Sequence, residues 1–103
     1  MVNSRNKGAS FERELAKLLF EELGLTFKRD IEQYRAADHG DLICVEMPDF
    51  PFSIEAKRYR AGYGIQPAWW DQCCASALAT HKLPLSVYKY DRLTIRWRFP
   101  VAT

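Results

Sequence analysis

Apolar residues recur at helical spacing early in the chain. In SFERELAKLLFEELG, Phe11, Leu15, Leu18, Leu19 and Leu23 fall on one stripe, and Gly24 stands where such a helix would end. The run Leu25 to Arg29, LTFKR, is short and β-prone and reads as a first strand. Residues 30–40, DIEQYRAADHG, are polar without a period and read as a loop. DLICVE, Asp41 to Glu46, is then a strand. MPDFP turns the chain through its prolines, and FSIEAK, Phe52 to Lys57, returns, so a β-hairpin is the economical reading.

Arg58 to Ile65 is a basic, glycine-containing loop, and Pro67 suits the first turn of a second helix reaching to about Thr80. His81 would close that helix, where a cationic form suits the dipole. LPLSVYKY and LTIRWRF follow as strands separated around Asp91 and Arg92. In the second, Leu93, Ile95, Trp97 and Phe99 share one face, and Thr94, Arg96 and Arg98 the other. The order αβββαββ predicts an α/β fold with a mixed sheet flanked by helices. At 103 residues, one domain spanning 1–103 is expected.

Composition supports a folded chain: 48% hydrophobic with 14% aromatic is too apolar for disorder. The net charge of +2 says little, but its distribution says more. Acidic residues concentrate in the first half. Beyond Asp49 basic ones dominate, which suits either a phosphate-facing patch or a solvated surface. Cys44, Cys73 and Cys74 form neither an even framework nor a CxxC pair, so they do not suggest zinc. MVNSRNKGAS lacks the apolar core of a signal peptide and no run reaches spanning length. The expected location is the cytoplasm, with no membrane partner and reduced thiols.

The candidate chemistry lies on the hairpin. Asp41 opens one strand. Glu55 and Lys57, two apart on its neighbour, share a face, and Ile54 and Ala56 take the other. The face of Ile54 and Ala56 is the apolar one, so that of Glu55 and Lys57 is not needed for the core. Carboxylates from adjacent strands can converge on a hard cation such as Mg²⁺, leaving positions for a phosphate oxygen and an attacking water. Lys57 would orient or deprotonate that water, or stabilise charge on the phosphate. The plain alternative is that an ExK in a strand is an exposed ion pair. Glu12 falls inside the apolar stripe of the first helix. A carboxylate aimed at a core requires a partner, either a metal at the core's edge or Arg29.

KGASFERELAKLL, Lys28-Arg29, GDLI and SIEAK resemble, in order, the motifs of archaeal Holliday-junction resolvases and related phage nucleases. These belong to the PD-(D/E)xK, or restriction-endonuclease-like, superfamily. The resemblance implies a homodimeric, Mg²⁺-dependent endonuclease, with Mn²⁺ able to substitute, acting on branched or four-way DNA. It makes Glu12, Asp41 and Glu55 the metal-binding acids and Lys57 the catalytic lysine. Arg13 and Arg29 become DNA- or phosphate-contacting residues, and Arg58 and Arg60 of the basic loop join them. EQYR is closer to the phage branch and places Gln33 and Arg35 at the mouth of the site. Gly40 stands where the superfamily's proline is expected. Trp69 and Trp70 occupy a region where relatives carry aromatics for dimer packing or DNA contact, or else form one core ring and one partly exposed ring. His39 is either a phosphate contact or a loop residue without a role. The alternatives are a phage-type nuclease acting on other branched or double-stranded DNA, and a DNA-binding module with a vestigial site.

Overall fold

A computed structural model of the protein describes residues 4–30 and 40–100. Its elements are α1 (Ser4–Leu23), β1 (Phe27–Arg29), β2 (Leu42–Cys44), β3 (Phe52–Tyr59), α2 (Pro67–Ala79), β4 (Leu83–Tyr90) and β5 (Arg96–Arg98). The order is the expected αβββαββ. The five strands form one sheet in the order β1-β2-β3-β4-β5. Neighbours are antiparallel except β3 and β4, which run parallel. A parallel pair needs a crossover, and α2 supplies it.

Helix α1 buries Phe11, Leu15 and Leu19 against the sheet, where Phe27, Leu42, Ile54 and Val87 complete a core. The helix begins earlier than its apolar stripe suggests, at Ser4, and its last stripe residue, Leu23, is exposed. The Gly24 amide closes it on the Phe20 carbonyl at 2.9 Å. α2 begins with Pro67 in its first turn. Beyond its end, His81 takes a left-handed backbone (φ 57°), and its amide bonds to Leu78 O. Lys82 N bonds to Ala77 O, satisfying carbonyls that a helix end leaves open. No helix among the described residues is long and apolar enough to cross a membrane.

Three expectations need correction. Both faces of β3 are covered, so the face of Glu55 is not spare surface: Ile54 joins the α1 core, and Glu55 is 3% exposed beneath α2. The crossover must lie on one face of the sheet, and it lies on this one. The strand expected over LTIRWRF is only three residues long, Arg96–Arg98. β5 is an edge strand paired only over Arg96–Arg98, and Leu93, Trp97 and Phe99 are exposed. β2 is three residues rather than six: the chain bends at Val45 and Glu46 after it and at Asp41 before it, where the carboxylate accepts from the Ala56 amide of β3.

Candidate active site

That bend builds the site. The Asp41 amide donates to the Ile54 carbonyl at 2.7 Å, and Asp41 Oδ2 accepts from the Ala56 amide at 2.6 Å. The carboxylate thus replaces a ladder carbonyl and is locked to β3 by backbone. Gly40 permits the approach, since a Cβ there would lie 2.9 Å from Ile54 O. Any larger residue at this position would meet the same obstacle.

Asp41 is brought against Glu55, and the two buried carboxyls share a side-chain hydrogen bond. Burial and the negative charge of Asp41 push Glu55 up to about 8, against the opposing pull of the Ser76 hydroxyl and Lys57. Burial also raises Asp41, opposed by the Ala56 amide, Glu55, Lys57 and Arg29. In the metal-free site, then, burial and mutual repulsion favour one proton held by the pair.

Asp41, Glu12, Lys57, Arg58 and Tyr59 line a cleft of about 330 Å³ with Gly8 on its wall. Glu55 is buried and does not line it. Glu12, 7% exposed, turns inward as its place in the apolar stripe predicts, and receives Arg29 Nε at 2.5 Å. Burial raises its pKa, Arg29 opposes that, and Asp41 adds to it. Arg58 is tied to Asp91 at 2.9 Å and lies 3.9 Å from Glu14. Arg13 and Arg60 are exposed. Gln33, Arg35 and His39 lie outside the described residues.

The donor set suits a hard divalent cation. Two buried carboxyls now share a proton that such a cation would replace, and Mg²⁺ is commonly held by one or two carboxylates plus waters and substrate oxygens. Among the described residues no third acid, cysteine or histidine completes a cluster, and Glu12 is held by Arg29 instead.

Two residues were missed from sequence. Ser76, from α2, faces Glu55 and is buried, whereas Tyr59 borders the cleft. Tyr59 was legible as lying two residues beyond Lys57 and hence on its face. Ser76 carried no signal. Trp69 is buried with Tyr88 and Tyr90, so it is unavailable as a dimer surface. Trp70 remains half-buried, with the Arg98 guanidinium 4.4 Å from its ring centre.

A family model described as a phage putative PDDEXK endonuclease matches residues 3–102. Among solved structures, the chain is similar to Hjc, a Holliday junction resolvase from the archaeon Archaeoglobus fulgidus. Identity is 19%, the TM-score is 0.61, and the match covers 88% of this chain and 70% of that one. The likeness establishes a shared α/β fold. No curated protein matches the sequence.

Proposed function

The chain belongs to the phage PDDEXK endonuclease family, and from that premise we propose that it hydrolyses phosphodiesters in branched DNA, with four-way junctions preferred, using Mg²⁺ or Mn²⁺ held by Asp41 and Glu55. The observation that carries this reading is the buried Asp41–Glu55 contact, with Asp41 and Lys57 lining an open cleft. A cation there would supply Lewis acidity and lower the pKa of a bound water.

The chain's own residues do the rest. The Ala56 amide fixes Asp41, so the first ligand is positioned before substrate arrives. Glu55 would be the second, the proton held by the pair passing to solvent. Lys57, on the cleft wall, orients the attacking water and offsets charge on the phosphate. Glu12 does not need to touch the cation to matter, because it holds Arg29 beside the two acids, where a guanidinium can meet phosphate oxygen. Arg13 and Arg60 are assigned to phosphate contacts, with Gln33 and Arg35 at the mouth. Symmetric resolution of a junction needs paired sites, so the active form is assigned as a homodimer.

The test is cleavage of matched linear, flapped and four-way DNA in Mg²⁺, in Ca²⁺ and in excess EDTA. The reading predicts fastest cutting of the four-way substrate in Mg²⁺, binding with little cutting in Ca²⁺, and none in EDTA. Cutting that persists in EDTA would overturn it. Equal rates on all DNAs would remove the junction preference and leave the nuclease.

A further inference from the structure

A column of aromatic rings ends at the mouth of the cleft. Tyr90 stands at its inner end, with its hydroxyl donating to Gly64 O at 2.7 Å. The backbone of Gly62 lies flat on that ring. A Cβ at Gly62 would fall 2.2 Å from Tyr90 Cε1, so only glycine fits. Trp69 packs on Tyr90 with ring centres 6.0 Å apart, and Tyr59 stacks on Trp69 at 4.9 Å and 14°. Tyr88 supports Trp69 from another side at 6.2 Å.

Tyr59 is the last ring of this column and differs from the others. Trp69, Tyr88 and Tyr90 are buried, whereas Tyr59 is 42% exposed. One face is occupied by Trp69, so its open surface is the other face and the rim. It borders the same cleft as Asp41 and Lys57, and it lies two residues beyond Lys57 on that strand. A ring held parallel to a buried tryptophan has already lost its rotational freedom. It therefore offers a flat apolar surface at little further entropic cost.

We propose that Tyr59 is a stacking platform for one unpaired nucleobase next to the phosphate being cut, which makes the site selective for DNA that is unstacked at the cleavage point. This rests on the nuclease reading and narrows its substrate class. A base within an intact duplex already has both faces covered and cannot use the platform without being unstacked. A base at a branch point, nick or bulge has a face to offer. Base–aromatic stacking is indifferent to base identity, so the selectivity is for structure and not for sequence.

The experiment compares a fully paired duplex with the same duplex carrying one unpaired nucleotide beside the cut. Wild-type protein, Tyr59→Phe and Tyr59→Leu are each measured, with folding checked by near-ultraviolet circular dichroism. Tyr59→Leu should lower the preference for the unpaired substrate, as a kcat/KM ratio, by about tenfold or more, mostly through KM, and Tyr59→Phe should preserve it. Binding in Ca²⁺ gives a readout independent of cleavage. A 2-aminopurine at the unpaired position should be dimmer when bound to wild type or Tyr59→Phe than to Tyr59→Leu. Equal emission across the three proteins, or equal loss on both DNAs, overturns the platform. Quenching that depends on the ring, without cleavage of either DNA, would uphold the platform and reject the nuclease reading.

Discussion

On the α1 side of the sheet the buried residues are Phe11, Leu15, Leu19, Ile54 and Val87; on the α2 side they are Ser53, Glu55, Cys73, Ser76 and Ser86, with aromatic rings gathered at one end. The same central strands supply both sets. The first face removes apolar area from water at about 25 cal/mol per Å² and so holds the domain together. The second buries a carboxyl pair, and among the described residues the Ser53 and Ser86 hydroxyls lie there without partners. Polar burial of this kind costs stability unless it is compensated. The difference teaches that one face is held by apolar packing, whereas the other buries polar groups that packing alone does not require. Even Cys73 fits the second pattern: burial, and then the Glu55 charge, push its thiol up to about 12, leaving it an inert spacer beneath the acids.

If that division is right, substitutions on the two faces should fail in different assays. The largest effect is expected at Lys57. Lys57→Ala should slow cleavage about 100-fold or more while leaving the melting temperature nearly unchanged, since the side chain lines the cleft and packs in neither core cluster. Loss of activity only through unfolding would instead make Lys57 a structural residue.

Leu15→Ala addresses the other face. Leu15 is 0% exposed, and its truncation should cost about 2–5 kcal/mol in urea unfolding. Cleavage per folded molecule should be retained. A variant that is stable but inactive would show that Leu15, as well as Glu12, serves the chemistry.

A smaller effect is expected from pH. Glu55 has a pKa near 8 in the folded chain against an ordinary 4.5, so between these values the folded state holds a proton that the unfolded state releases. Metal-free protein should therefore lose stability as pH rises from about 5 to 8, and Glu55→Gln should flatten the slope. Denaturant unfolding in EDTA at each end of the window measures it. A slope unchanged in the variant would mean that the proton resides elsewhere.

How much of this could be read beforehand differs by face. The α1 side was legible because an apolar stripe at helical spacing has one physical solution, and Phe11, Leu15 and Leu19 took it. Glu12 was legible as the stripe's exception, and Arg29 proved to be its partner. The hairpin brought Asp41 to Glu55, as alternation along paired strands requires. The covering of Glu55 was not legible, because where a crossover helix lands depends on connection geometry and not on local pattern. Arg58 meets Asp91 from 33 residues away, a contact that no local spacing reports. The strand in LTIRWRF proved shorter than its alternation suggests, because only Arg96–Arg98 pair with β4 at the sheet's edge.

The central claim is that Asp41 and Glu55 act as one cation-holding unit on the polar face. Single-turnover cleavage of a four-way junction in Mg²⁺, by wild type, Asp41→Asn, Glu55→Gln and the double variant, tests it most directly. Groups that act as a unit are not additive: removing either should cost nearly as much as removing both. The account predicts that each single variant loses almost all cleavage, still binds the junction in Ca²⁺ through phosphate contacts, and is made little worse by the second substitution. Losses that multiply, or a single variant that cuts at close to the wild-type rate, would contradict it.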